Sequence, residues 1–298
     1  MAATKKTEEK TGLAQTHGGK LSKQHPIMSI GVLEKELLKK FPATDGEEWD
    51  RNGLLVGDPA ALVGGIAVAL DPTVDAVHEA KALGANVLLT HHPAYLSAPD
   101  SFRPAGSALT SPGAGVYAAI EDGVALINLH TPLDVSREAA QILPGLLNLR
   151  LMGIVEPLKK DAHKGYGQLC SVKPADGPLT LGQLAARCTS VFGRPPRVWG
   201  DFGKALSKVV TCTGSTGDLP GLCMPLSVDC LVCGEVRYHD ALTASHAGLA
   251  IIDLGHDVSE LPLVAVLATA VSSLGFSEDS IMVIGQRDNW AYPESVRI

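Results

Sequence analysis

Gly84-Ala85-Asn86-Val87-Leu88-Leu89-Thr90-His91-His92-Pro93 is the stretch that decides how this chain is read. Residues 86–90 form a short, mostly apolar run. That length and composition suit a strand covered on both faces, as in a parallel α/β sheet. The run stops abruptly at two adjacent histidines and a proline. In open sheets of this kind, ligands bind beyond the carboxyl ends of the strands. Neutral imidazole is a good donor to zinc, iron, nickel or copper, and two adjacent rings can each face a different ion. A helix cap or a surface pair is the other use of a bare His-His, so the rest of the chain has to decide.

Working upstream, Val32, Leu33, Leu37 and Leu38 recur at roughly helical spacing after Ser29, which predicts a capped first helix ending before Pro42. Asn52-Gly53 supplies a positive-φ turn into a strand at 54–56, and residues 65–70 make the next strand. Asp71-Pro72-Thr73 then reads as a cap opening a helix to about residue 83. His78, inside that helix, is expected to be structural. Residues 1–26 are rich in lysine, glutamate and glycine and poor in large apolar side chains, the composition of a disordered arm in which His17 and His25 are solvated. The arm lacks arginine and carries two glutamates, unlike a mitochondrial presequence.

Downstream, a Pro/Ser/Gly-rich loop at 98–115 and a helix at 115–121 lead to a strand at 124–129, which ends in His130-Thr131-Pro132-Leu133-Asp134. A second strand thus delivers imidazole and carboxylate to its carboxyl end. Asp134 can bind an ion through either oxygen; a turn-capping aspartate is the alternative. A break at Pro144-Gly145, followed by Leu151-Met152-Gly153-Ile154-Val155-Glu156-Pro157, marks the start of a second lobe near residue 151. A helix is expected at 179–191 and strands at 208–213 and 228–233. Gly214-Ser215-Thr216-Gly217 could present N–H groups to an anion, though it has no P-loop lysine. Glu235 and His239 would share a face if both lie in the helix expected to run to about residue 247. A strand at 249–254 ends at Gly255-His256-Asp257, with Ser259 a candidate cap and Pro262 in the first turn. That reading places His256 in the strand-to-helix turn and Glu260 at the helix mouth, within reach of a shared ion. Three strand ends then carry His-His, His with Asp, and His with Glu.

The composition of the 298-residue chain bounds the partners. Its length allows two modest domains or one large one, it is 45% hydrophobic, ample for a real core, and its 25 basic against 32 acidic residues give a net charge of −7. With 4% aromatic residues and no basic stripe, nucleic-acid binding is disfavoured. No stretch reaches the ~20 apolar residues of a membrane span; residues 261–274 read as a buried helix. All six cysteines lie in the second half without a secretory signal, which points to reduced core thiols and a cytoplasmic protein. Cys230 and Cys233 form a Cys-x-x-Cys inside a strand, where residues three apart point to opposite faces, so packing rather than zinc binding is expected.

Trp49-Asp50-Arg51-Asn52-Gly53-Leu54, Thr90-His91-His92-Pro93, His130-Thr131-Pro132-Leu133-Asp134, Gly234-Glu235 with His239-Asp240, and Gly255-His256 with Glu260 resemble, in this order, the YbgI-like (Nif-three-like) dinuclear metal centre proteins, the GTP cyclohydrolase I type 2 homologs. The resemblance covers about residues 28 to 290. It implies an α/β fold of two similar lobes, at 27–150 and 151–298, with mostly parallel strands covered by helices. The metal site lies in the cleft between the lobes, and the C-terminal part of the second completes it. By resemblance, His91 and His92 each serve one of two divalent ions, Asp134 the first, His256 the second, and Glu260 bridges them. His130, Glu235 and His239 resemble site-lining positions. The resemblance also implies a homohexameric ring. The ligand types suit zinc, iron, manganese, nickel or cobalt.

A carboxylate-bridged ion pair suits hydrolysis. The leading expectation is therefore a metal-dependent hydrolase of a small, nucleotide-like molecule, with Glu235 or His239 as candidate proton shuttles. The alternative is a metal-binding or regulatory interaction protein without turnover, since a fold and a metal site do not fix a substrate.

Overall fold

The computed structural model describes residues 26–106, 113–172 and 178–285. The expected N-terminal arm, Pro26 apart, lies outside them. Chain order runs α1 (Ile30–Lys40), β1 (Gly53–Val56), β2 (Ile66–Ala69), α2 (Val74–Ala82), β3 (Val87–Thr90), α3 (Ala114–Asp122), β4 (Ala125–Asn128) and two short helices, α4 (Thr131–Asp134) and α5 (Ile142–Leu146). It continues with the hairpin β5 (Leu149–Leu158) and β6 (Asp161–Val172), then β7 (Leu179–Thr180), α6 (Leu181–Phe192), β8 (Arg197–Trp199), β9 (Ala205–Leu206) and β10 (Lys208–Thr211). The remainder is α7 (Leu219–Cys223), β11 (Cys230–Cys233), α8 (Tyr238–His246), β12 (Ala250–Asp253), α9 (His256–Ser273) and β13 (Ile281–Val283).

The strands form two main sheets, ordered β1-β4-β3-β2-β13 and β5-β6-β10-β11-β12-β8. In the first, β4, β3, β2 and β13 run parallel and β1 closes one edge antiparallel. Helices cover both faces, and the pleat sorts the side chains. Val68, Val87 and Leu89 meet α1 and α9 on one side, while Ala67, Leu88 and Leu126 meet α2 and α3 on the other. The second sheet is more mixed than the sequence suggests. Only β10–β11 and β11–β12 are parallel pairs; β5–β6, β6–β10 and β8–β12 pair antiparallel. The hairpin makes the difference: β6, polar from Asp161 to Gln168 apart from Ala162 and Tyr166, lacks the apolar run that marks a buried strand and pairs antiparallel with both β5 and β10.

Local signals behave as their chemistry requires. Ser29 Oγ accepts from Val32 N to cap α1. Thr180 and Gln183 form a reciprocal capping box on α6. Thr73, not Asp71, caps α2, accepting from Ala76 N at 3.1 Å. Cys230 packs in one core of the second sheet and Cys233 in the other, as expected for residues three apart on a strand. All six thiols are buried and unpaired. Burial pushes those of Cys170, Cys188 and Cys223 up to about 12.

One helix ties the two sheets together. Helix α9 leaves the end of β12 with Val258 in the core of the second sheet, then buries Leu263, Leu267 and Val271 against the first. It begins at His256, so Ser259 is not its cap and Pro262 lies inside it. The chain then adds β13 beside β2, so residues 281–283, assigned from sequence to the second lobe, belong to the first sheet. Among the described residues, no helix is long and apolar enough to cross a membrane.

Candidate metal centre

The ends of β3, β4 and β12 converge where α9 crosses between the sheets. His91 and His92 follow β3, Asp134 closes the helical turn after β4, and His256 and Glu260 occupy successive turns at the start of α9. The structure brings these five residues together in two groups that share Glu260. One is His91, Asp134 and Glu260; the other is His92, His256 and Glu260; within each, ligand atoms lie within 4.8 Å of one another. His91 Nε2 is 3.5 Å from Asp134 Oδ1 and 3.7 Å from Glu260 Oε1. His92 Nε2 and His256 Nε2 stand 3.0 Å and 3.3 Å from Glu260 Oε2. His130 joins His91 and His92 in a third group.

The other ring nitrogens point away from the centre, toward acceptors. His91 Nδ1 donates to Leu129 O at 3.0 Å, His92 Nδ1 to Asp71 Oδ1 at 2.6 Å, and His130 Nδ1 to Asp50 Oδ1 at 2.8 Å. A carbonyl or carboxylate oxygen only accepts, so these bonds place the proton on Nδ1 and leave the Nε2 lone pairs facing inward. Metal-binding histidines are oriented this way by their outer partners. Asp50 is tied further by Thr131 N, Thr131 Oγ1 and Asn52 Nδ2, which fixes the turn carrying His130.

The donor set fits divalent ions. His91 Nε2 and Glu260 Oε2 are buried side-chain atoms without a hydrogen-bond partner. The approaches of His92 and His256 to Glu260 Oε2 are in ion-pair range but lack hydrogen-bond alignment. Lone pairs that face one another in a buried space repel unless a proton or a cation stands between them. The titration behaviour agrees. Burial opposes a charged His92, yet Asp71 and Glu260 outweigh it and raise the ring to about 10. Glu260 raises His256 to about 9, against its burial. His91 is raised too, Asp134 and Glu260 prevailing over complete burial. Burial raises Asp134, whereas the imidazoles facing Glu260 overcome its burial and hold it well below the usual carboxylate range.

Backbone packing is tight around Glu260. Gly214, at φ 58°, lies where any Cβ would collide with Glu260 Oε1. Ser259 Oγ accepts from Gly214 N at 2.9 Å and donates to His256 O at 2.8 Å, joining the loop after β10 to α9. These bonds also correct the expected anion turn: Gly214 N is taken by Ser259 and Thr216 N by Glu235 O.

Two expectations do not hold. Glu235 lies in the turn before α8, which starts at Tyr238, so the helical spacing with His239 does not apply. His239 is exposed and stacks edge-on against Tyr238, outside the cleft. Glu235 reaches His256 Nδ1 only at 3.5 Å, from the exposed rim. His78 pairs with Asp122 on the surface. Sequence reading missed Asp71 and Asp50 as partners of the histidines. A signal for Asp71 existed: β2 and β3 pair Ala69 with Thr90, which sets the two strand ends side by side. The cleft beside the cluster encloses about 680 Å³ and adds Trp49, Tyr166 and Leu219 to its walls.

The sequence profile of Duf34/NIF3 (NGG1p interacting factor 3) matches residues 28–288. The chain belongs to the Duf34/NIF3 family. Among its relatives, a Streptomyces coelicolor protein named GTP cyclohydrolase 1 type 2 homolog is 32% identical over 230 residues, covering 74% of this chain and 78% of its own. A Clostridium perfringens protein of the same name is 28% identical, covering 77% and 86%. Solved structures share the fold: Staphylococcus aureus hypothetical protein SA1388 superimposes with TM-score 0.79 at 23% identity, covering 89% of this chain and 99% of its own. A Bacillus cereus protein related to NIF3 gives 0.77 at 17% identity, covering 89% and 99%.

Proposed function

We propose that the protein is a dinuclear metal-dependent hydrolase of a small molecule. The observation that carries this reading is Glu260: its two oxygens face two separate groups, His91 with Asp134 and His92 with His256. His91 and Asp134 would hold one divalent ion, His92 and His256 the other, with Glu260 between them. Bound ions of this kind supply a hydroxide near neutral pH and stabilise developing oxyanion charge. The protein's own part is orientation. Asp71, Leu129 O and Asp50 fix the imidazole tautomers, and Ser259 sets Glu260 against the loop after β10. The name shared by the relatives, GTP cyclohydrolase 1 type 2 homolog, supports hydrolysis of a nucleotide-like molecule. Zinc, iron, manganese, nickel and cobalt all suit the donors. A homohexamer belongs to the same reading and is checked by light scattering of the eluted protein.

The test compares the wild-type chain with an Asp134→Ala, Glu260→Ala double variant. Elemental analysis should give close to two metal equivalents per wild-type chain and a loss of metal in the variant. A phosphoester and nucleotide screen should show turnover that disappears with the metal. Turnover that persists without metal refutes the reading. Metal without turnover, together with a reproducible protein partner, establishes the non-catalytic alternative.

A further inference from the structure

Asp134 differs from the histidines beside it in where its support comes from. His91 and His92 are fixed by Leu129 O and Asp71, which belong to the same sheet ends as the rings they hold. Asp134 also follows a strand of the first sheet, yet residues of the second sheet hold it. Gly165 N, in β6, donates to Val135 O at 3.0 Å and ties down the backbone just past Asp134. Thr213 Oγ1, in the loop after β10, donates to Asp134 Oδ1 at 3.3 Å and ties down the carboxylate. Thr213 also lines the cleft.

The loop that presents this hydroxyl has little freedom. Thr213 O accepts from Cys212 Sγ at 3.1 Å. Gly214 N donates to Ser259 Oγ at 2.9 Å, and Gly214 O accepts from Glu235 N at 2.9 Å. Gly234 packs on the same peptide so closely that a Cβ there would collide with Ser259 Oγ and with Gly214 O and N. Thr213 itself is β-branched and stiff at χ1. A hydroxyl on such a mount points in one direction.

The bond has a consequence for the carboxylate. An ionised carboxylate only accepts, so the hydroxyl proton lies toward Asp134. Oδ1 has more than one acceptor site; Thr213 takes one and leaves another free on the oxygen that faces His91 Nε2 at 3.5 Å.

We propose that Thr213 is a positioning residue of the metal centre: its hydroxyl, delivered from the second sheet, holds Asp134 in the orientation that completes the group with His91 and Glu260. It acts through Asp134 and stands outside the donor set. The inference rests on the metal reading of the function and deepens it, because removal of such an outer partner costs about 10–100-fold in metal affinity. Thr213→Val keeps the shape of the side chain and removes the donor.

The metal-free full chain is titrated with zinc alone against a chelating dye, beside Thr213→Val, Thr213→Ser and Asp71→Asn. Asp71→Asn removes the partner of His92 and so marks the step that belongs to His92 and His256. Thr213→Val should weaken the other step by about ten-fold or more, with the marked step and the melting temperature of the metal-free chain unchanged. Thr213→Ser restores the hydroxyl and should restore the affinity, an outcome that packing of the threonine methyl alone would not give. Two wild-type steps retained in Thr213→Val, equal loss in both steps, or a serine variant as weak as the valine variant overturns the role of Thr213 and leaves the centre standing. A wild-type chain that takes up no zinc overturns the metal centre itself, and the role of Thr213 with it.

Discussion

Replacing Asp71 with asparagine tests whether the histidines are set for metal. Asp71 Oδ1 accepts from His92 Nδ1 at 2.6 Å, a charge-assisted bond that holds the Nε2 lone pair toward Glu260. Asparagine keeps the shape but removes the charge and the certainty of the tautomer, because its amide can turn a donor toward the ring. Loss of such an outer partner costs about 10–100-fold in metal affinity, equivalent to about 1.4–2.7 kcal/mol. Only the group containing His92 and His256 should suffer, since His91 is oriented independently by Leu129 O. Zinc titration of the metal-free chain against a chelating dye should therefore show one weakened step and one unchanged step. Asp122→Asn is the matched control. It removes the same chemistry from His78, at 2.8 Å, on the surface away from the cleft, and should leave both steps intact. Equal affinity in Asp71→Asn and wild type, or equal loss in both variants, refutes the reasoning.

Gly214→Ala should destabilise the fold by about 1–2 kcal/mol for a non-glycine residue in the left-handed region and displace Glu260 from its added Cβ; thermal melts and zinc content together check this, and an unchanged zinc stoichiometry argues against the packing. Metal loading should release protons at pH 7.5. His92, raised to about 10, and His256, raised to about 9, are protonated there without metal, so affinity should climb as pH rises toward those values; calorimetry in buffers of differing ionisation enthalpy counts the protons, and zero release contradicts the arrangement. Asp45, in the turn after α1, tests the clamp to the β5–β6 hairpin, whose Lys160 and Lys164 each stand 2.7 Å from one of its oxygens. Burial opposes its charge, but Lys160 and Lys164 prevail and lower its pKa. Its stabilising contribution is present above the ordinary carboxylate pKa of about 3.9 and is lost as pH falls through the lower folded value. Urea melts from neutral to acidic pH should show a shallower acid decline in Asp45→Asn than in wild type.

Elements whose signal is local were legible in the chain. The capped helix after Ser29, the apolar strands ending at Thr90 and Asn128, and the buried helix beyond residue 261 all follow from periodicity, caps and run length. Strand β6 was not, because it is held by pairing with β5 and by contacts such as Lys164 with Asp45, and its polar first half leaves no apolar run to read. The start of α9 was misplaced for a related reason. Proline at position 262 reads as a first-turn residue, yet the helix already begins at His256, where Gly255 takes φ 99° and Ser259 bonds back to His256 O.

The sequence by itself determined which side chains stand at the ends of the strands: His91 and His92, His130 and Asp134, His256 and Glu260. A strand's end is written in composition, and a run of apolar residues stopping at polar ones needs no neighbour to define it. Only the tertiary structure decided that these ends meet, because the meeting depends on α9 leaving one core and burying Leu263 and Leu267 in another. It also decided the roles of Asp71 and Asp50. Asp71 acts on His92, 21 positions away, and Asp50 on His130, 80 positions away. No local pattern carries partnerships at that separation; they exist once packing has fixed where each backbone runs.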